Sequence, residues 1–176
     1  MPKREILILG NPLLWERSLQ IDDPSGDACR RLIIDLDDTL AEFRRTHGFG
    51  RGIAAPQIGV LSRIIFVRMP EPGFCGALVN PVIVESDSRT IEVWDDCFSV
   101  PGLIVRLTRA AKVRVEYLDE QGRRQSINAD GPLSELLQHE IDHLDGILML
   151  DRISALKRAL YKKRRLKQLK SIDEIG

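Results

Sequence analysis

The stretch that decides the fold, residues 130–146, reads DGPLSELLQHEIDHLDG. Its apolar residues recur at three- and four-residue steps, which predicts an amphipathic helix with one face in the core; they are Leu133, Leu137, Ile141 and Leu144. A turn with proline near the first helical position is expected at 130–132. Asp145 and Gly146 are expected to end the helix.

The same helix carries the pattern His139-Glu140-Ile141-Asp142-His143. Residues four apart share a helical face, so both imidazoles can bind one divalent cation while Glu140 points to a water bound there. Two surface histidines are the alternative interpretation, but the apolar periodicity of the helix places both rings beside the core. The pattern therefore predicts hydrolysis at a metal.

Composition is that of one ordinary domain. The chain has 176 residues, 43% hydrophobic and 30% charged, with a formal net charge of zero, so it can bury a core. The apolar run at 6–9 is interrupted by Asn11 and Pro12, which predicts neither a signal peptide nor a membrane span. A cytoplasmic protein without a membrane partner is expected, and its three cysteines do not suggest a disulfide framework.

The remaining periodicities predict an α+β fold. Residues 28–43 carry Leu32, Leu36, Leu40 and Phe43 at helical steps. Alternating β-branched residues predict strands at 63–68, 77–85, 89–94 and 112–118. Strands and helices do not alternate regularly, which argues against a doubly wound sheet. A single domain over residues 1–176 is expected, ending in a basic helix at about 153–170.

A catalytic site of this type needs a third protein ligand. His47 is the remaining histidine, but Cys97 is the stronger candidate because it follows a predicted strand and precedes turn residues. A buried structural cysteine remains the alternative at this point.

Three motifs resemble those of the peptide deformylase family. GRGIAAPQIG at 50–59 matches its first signature, DDCFS at 95–99 resembles a variant of its second, and QHEIDHL at 138–144 matches its third. They occur in the order typical of the family, and ILGNP at 8–12 is similar to its N-terminal pattern. The resemblance thus covers nearly the whole chain. It implies short antiparallel sheets around a central metal-binding helix, with N-terminal and C-terminal helices.

The resemblance also implies which residues bind the metal and carry out the reaction. Cys97, His139 and His143 would hold the metal, with Fe(II) expected and Zn, Ni or Co able to substitute. Glu140 would move the proton while water attacks a formyl carbonyl on a nascent chain or N-formyl peptide, releasing formate. Gln57 and the backbone amide of Phe98 would stabilise the oxyanion.

Substrate contacts are predicted at Gly52, Arg51, Asp96 and Glu135. Gly52 would let backbone approach the substrate. In the family an apolar pocket receives the methionine side chain, whereas this chain has Arg51 and Glu135 at two pocket positions. The two charges could pair, reach solvent, or select a polar first residue.

The second motif of the family usually reads Glu-Gly-Cys-Leu-Ser, so Asp95, Asp96 and Phe98 depart from it. These changes leave open a noncatalytic or substrate-shifted binding protein with a deformylase-like fold. Asp142 could accept a bond from Arg106 or Arg109, or remain exposed to solvent.

A second alternative is a haloacid-dehalogenase-like phosphatase. IIDLDDTL at 33–40 resembles the nucleophile motif of those enzymes. That chemistry needs the motif at the end of a buried strand, whereas leucines 32, 36 and 40 follow a helical period.

The C-terminal segment departs from the neutral balance of the chain. Residues 157–170 carry eight lysines and arginines and no acid. A basic helix there would suit contact with ribosomal RNA, and a solvated helix is the alternative.

Overall fold

The computed structural model describes residues 4–70 and 73–153. Two α-helices and seven strands are assigned within these ranges. In chain order they are α1 Asp27–His47, β1 Gly52–Ala54, β2 Ile64–Arg68, β3 Cys75–Ser86, β4 Thr90–Asp96, β5 Ile104–Ala110, β6 Lys112–Leu118, β7 Arg124–Asp130 and α2 Gly131–Leu144. Short 3-10 helices lie at Pro12–Trp15, Ala55–Ile58 and Met149–Arg152.

Both sheets are antiparallel. The larger sheet has five strands in the order β1-β2-β3-β6-β7, and β4 pairs only with β5 among the described strands. Neighbouring residues of β2 face opposite sides of the larger sheet. Ile64 and Phe66 pack with α1, whereas Ile65 and Val67 pack with α2, so the two helices cover opposite faces.

The β4–β5 hairpin forms the other wall around α2. Its inward side chains Val105 and Leu107 pack with Cys97, Met149 and Ile153 in a third apolar cluster. Polar side chains of α2 meet this hairpin while the apolar ones meet the sheet. The helix that carries the histidines therefore lies between the larger sheet and the hairpin, which buries its two histidine side chains.

The predicted α+β class and the central helix are confirmed. The strands predicted at 63–68, 77–85, 89–94 and 112–118 correspond to β2, β3, β4 and β6, and the helix predicted at 28–43 extends over Asp27–His47. The sequence prediction missed β1, β5 and β7. The first has only three residues. In β5 the buried inward position 109 is an arginine, and β7 is polar at most positions, so apolar residues do not mark either strand clearly in the sequence.

Two further sequence predictions concern the basic C-terminal helix and the phosphatase-like motif. The basic helix predicted at 153–170 lies almost wholly outside the described residues. The phosphatase hypothesis is wrong, because residues 33–40 lie in the middle of α1, not at the end of a strand. Asp35 there pairs with Arg4, and Asp37 pairs with Arg68.

Candidate metal centre

Three potential ligands meet at the end of β4 and on α2. One donor atom from each of Cys97, His139 and His143 lies within 4.8 Å of the others, and all three residues are buried. Sγ of Cys97 is 3.2 Å from Nε2 of His143. One thiolate and two imidazoles form a donor set that suits Zn or Fe(II) better than Mg or Ca. The residues therefore fit a divalent metal with an open coordination position.

A network of buried charged side chains contacts the ligand residue His139. Asp95 accepts from Nη2 of Arg109 at 2.7 Å, and its other oxygen is 2.7 Å from Nδ1 of His139. Nη1 of Arg109 donates to Asp142 at 2.7 Å, and Arg152 pairs with the same acid. Asp95 thus orients the ring of His139 and leaves its other nitrogen to bind the cation that these residues would hold.

This network settles one alternative left open by the sequence. Asp142 bonds to Arg109 and Arg152 and is buried, so it is not a solvent-exposed acid. Arg106 instead pairs with Glu92 on the exposed face of the hairpin. Arg106 and Arg109 are three positions apart in β5 and therefore point to opposite faces, because successive side chains of a strand alternate.

The two histidines have opposite electrostatic environments. Burial opposes the charged form of His139, but the carboxylate of Asp95 outweighs it and raises the pKa of His139 well above its usual value. Burial lowers the pKa of His143 well below its usual value, assisted by the positive charge at His139. Without a metal, the environment therefore favours neutral His143 and protonated His139, and a metal bound by both imidazoles would displace the proton of His139.

Glu140 lies beside the ligands in a space that Gly52 leaves open. A Cβ atom at Gly52 would be 2.6 Å from Oε1 of Glu140. Oε2 is buried and receives no hydrogen bond from the part of the chain that the structure describes. Burial raises the pKa of Glu140 to about 7, with the charge of His139 opposing it. A carboxyl group near neutrality can both accept and return a proton at ordinary pH.

Gln57 is held with its amide nitrogen toward the ligands. Its Oε1 accepts from the backbone N–H of Ala54 at 2.9 Å. Its Nε2 donates toward Sγ of Cys97 at 3.6 Å and Oγ of Ser99 at 3.3 Å. Because the oxygen is anchored, the amide cannot flip without losing that bond. The N–H donors of Gln57 are therefore directed at the centre.

Phe98 follows the cysteine ligand and is anchored by aromatic contacts. Its ring stacks on Phe43 of α1 with a centroid distance of 3.9 Å, and Phe49 approaches the edge of this pair. This packing holds the backbone beside Cys97 in place.

A cavity of about 450 Å³ opens onto the centre. It is lined by every predicted catalytic and substrate-binding residue, by Cys97 and His139, and by Phe49, Leu136 and Pro70. Arg51 and Glu135 form an ion pair of 2.7 Å on its wall, and Asp96 is exposed at its rim. Of the predicted site residues, His143 lies behind the cavity lining.

Sequence reasoning missed two supporting residues. The sequence identifies Asp95 only as a departure from the second motif, whereas in the structure it is the partner of His139. Arg152 was not considered. The sequence contains a signal for the first: Val93, Asp95 and Cys97 occupy alternate positions, and alternate residues of a strand point to the same side, which places the acid on the side of the cysteine.

A buried Cys-His-His group with a buried glutamate beside it is typical of metal-dependent hydrolases. The family model described as polypeptide deformylase matches residues 3–159. The chain therefore belongs to the peptide deformylase family, whose members remove N-formyl groups from nascent polypeptides. The motif-based assignment is confirmed.

Relatives and solved structures agree with this assignment. A peptide deformylase of Thermomicrobium roseum is 40% identical over 160 residues, covering 87% of each chain. The crystal structure of the Ehrlichia chaffeensis enzyme with actinonin is 30% identical, covers 96% of this chain and 98% of its own, and has a TM-score of 0.85. A Legionella pneumophila peptide deformylase structure is 35% identical, covers 97% and 98%, and has a TM-score of 0.83. Neither described helix is long and apolar enough to cross a membrane.

Proposed function

We propose that Glu140, Gln57 and Phe98 carry out deformylation at a metal held by Cys97, His139 and His143. The observation that carries this proposal is the position of Glu140, which is buried beside Cys97 and the two histidines and whose Oε2 has no hydrogen-bond partner among residues 4–70 and 73–153. When bound, a divalent metal polarises the formyl carbonyl and makes water a better nucleophile near neutral pH. Fe(II) is the proposed physiological metal, and Zn, Ni or Co would also suit the donor set.

Glu140 moves the proton. Its carboxylate takes one proton from the attacking water, whose oxygen forms a bond to the formyl carbon. The bond between that carbon and the peptide nitrogen then breaks, and Glu140 returns the proton to the departing amine. The products are formate and a free N-terminus, so the carboxylate is regenerated. Such proton transfer contributes about 10²- to 10⁴-fold to the rate.

Gln57 and Phe98 stabilise the charge that develops on the former carbonyl oxygen. The anchored Nε2 group of Gln57 faces the centre, and the backbone N–H of Phe98 lies directly after the cysteine ligand. Preorganised donors of this kind need little rearrangement as charge forms.

The cavity residues position the peptide. Gly52 gives Glu140 room beside the backbone that would meet the substrate. Arg51 and Glu135 line the wall, and Asp96 lies at the rim where the continuing chain would leave. These four residues are the proposed substrate contacts.

Formate release from formyl-Met-Ala-Ser tests the assignment directly. Protein prepared anaerobically with Fe(II) or Ni(II) should release formate, and Glu140→Gln should lower the rate by about 10²-fold or more. The matched control Glu120→Gln, on an exposed turn, should keep the wild-type rate. Metal binding without formate release in the wild type would instead favour a noncatalytic relative.

The proposed cellular setting is the cytoplasm, at the ribosome. The support is the basic segment at 157–170, which lies outside the described residues and carries eight cationic side chains. Cationic segments bind RNA with strong salt dependence. Truncation after Ile153 should therefore abolish cosedimentation with ribosomes at low salt while formate release continues. Unchanged cosedimentation would rule this contact out.

A further inference from the structure

The wall of the substrate cavity carries a charge pair close to the reaction centre. Glu135 precedes His139 by four residues on α2, so the two side chains share a helical face. Arg51 immediately precedes Gly52, whose backbone lies against Glu140. Arg51 and Glu135 line the same cavity as Cys97, His139 and Glu140, so a substrate side chain that enters this cavity lies near the pair.

Groups of the described residues use only part of the hydrogen-bonding capacity of the Arg51–Glu135 pair. The side chain of Glu135 is 8% exposed, whereas that of Arg51 is 40% exposed. Within residues 4–70 and 73–153, the guanidinium of Arg51 makes one hydrogen bond, to Glu135 at 2.7 Å. Its remaining N–H donors have no acceptor in that part of the chain, and Arg51 lines the cavity.

A substrate side chain that enters this cavity removes water from those donors. A purely apolar group would leave them without an acceptor, which is unfavourable. At the pair itself, a cationic group would face Arg51 and an anionic group would face Glu135. Two other arginines line the cavity, but Arg68 is paired with Asp37 and Arg44 donates to the backbone carbonyl of Arg68. A neutral group with a strong acceptor oxygen is compatible with both charges and can accept from Arg51.

We propose that the Arg51–Glu135 pair makes this enzyme prefer N-formyl residues whose side chain is neutral, unbranched and ends in a hydrogen-bond acceptor oxygen. Methionine sulfoxide and glutamine represent this class, and the thioether of methionine is a much weaker acceptor. This inference rests on the proposed deformylase function and specifies its substrate side chain. A site that provides charged donors discriminates strongly against an analogue lacking the acceptor.

The test compares four peptides of the form formyl-X-Ala-Ser, with X as methionine sulfoxide, glutamine, methionine or norleucine. Norleucine has the length of methionine and no acceptor. In the wild type, kcat/KM for the sulfoxide and glutamine peptides should exceed that for norleucine by about tenfold or more. The double variant Arg51→Leu/Glu135→Leu should invert this order, because both charges are removed together and neither is left unpaired.

The matched control is Arg114→Leu/Glu85→Leu, which removes a pair of the same 2.7 Å length away from the cavity. It should keep the wild-type order of peptides. Equal or better cleavage of norleucine by the wild type, or an unchanged order in Arg51→Leu/Glu135→Leu, would overturn the proposal.

A binding measurement separates this inference from the proposed function. The Kd of each peptide for Ni(II)-loaded Glu140→Gln protein, measured by calorimetry, should follow the same order. If no peptide is hydrolysed by the wild type, the deformylase assignment fails while the Kd order still decides the preference. Kd values that favour norleucine would contradict the preference even if formyl-methionine is cleaved.

Discussion

Oδ1 of Asp95 lies 2.7 Å from Nδ1 of His139, and both side chains are buried. The acid sits at the end of β4, whereas the histidine sits in α2, and Arg109 holds the second oxygen of the acid. The metal ligand is therefore oriented by a carboxylate that is itself fixed by a buried cation. This arrangement couples the hairpin to the metal centre.

Replacement of Asp95 by asparagine should weaken metal binding. The amide has one acceptor oxygen, so either His139 or Arg109 would face its NH2 group. Loss of such a supporting partner typically lowers metal affinity about 10- to 100-fold. Competition with a chelator measures the affinity, and Asp87→Asn, a partly exposed acid beside Arg89, is the control. Equal affinities in the two variants would contradict the role of Asp95.

The metal-free protein should lose stability at low pH through the same residue. Despite burial, the charges of His139 and Arg109 hold the pKa of Asp95 at about 2, below its usual 3.8. The folded state therefore binds this proton less readily than the unfolded state, so the contribution is present above about pH 3.8 and disappears as the pH falls toward 2. The difference is equivalent to about 2 kcal/mol.

Urea unfolding of the metal-free wild type and Asp95→Asn, at about pH 5 and about pH 2.5, measures this contribution. The stability gap between the two proteins should narrow at the lower pH. If the difference in free energy of unfolding between the two proteins is the same at both pH values, Asp95 does not titrate in the predicted range.

Gly52→Ala should impair activity without unfolding the protein. The added Cβ would lie 2.6 Å from Oε1 of Glu140, so the carboxylate must move. Small displacements of a catalytic group can reduce the rate about 10²-fold. The melting temperature should change little, because the long side chain of Glu140 can shift. Wild-type kcat in this variant would show that the carboxylate position is not critical.

Gln57→Leu should mainly lower kcat. It removes the N–H donors directed at the centre, and loss of one oxyanion donor costs about 3 kcal/mol in the barrier. The bond from Ala54 is lost as well, so unfolding should be measured beside the kinetics. Gln125→Leu, at an exposed site near Asp119, controls for the substitution type. A rise in KM with unchanged kcat would instead indicate a role in substrate binding.

Arg109→Met should destabilise the protein far more than Arg106→Met. The first change leaves the buried acids Asp95 and Asp142 without their shared cation, which costs about 3 to 5 kcal/mol. The second removes an exposed pair with Glu92, for which about 0 to 1 kcal/mol is expected. Free energies of unfolding from urea titrations compare the two. Similar losses would mean that the buried network contributes little to stability.

Local patterns in the sequence predicted much of the site. The spacing of His139 and His143 places both on one helical face wherever that helix packs, and the apolar period of 133–144 predicts which face enters the core. The same reasoning recovered α1 and four strands. It missed β1 because three residues show no period, and β5 because Arg109 occupies an inward position where an apolar residue is expected.

The sequence alone thus determined the helix, the ligand types and the acid beside them, because these depend on spacing within one turn and on side-chain chemistry. The tertiary structure decided which distant groups meet. Asp95 contacts His139, and Arg109 rather than Arg106 binds Asp142. Gly52 lies against Glu140, and Arg51 forms an ion pair with Glu135. Such contacts depend on strand pairing and on the packing of α2 between sheet and hairpin, where burial makes each unpaired charge costly and so selects its partner.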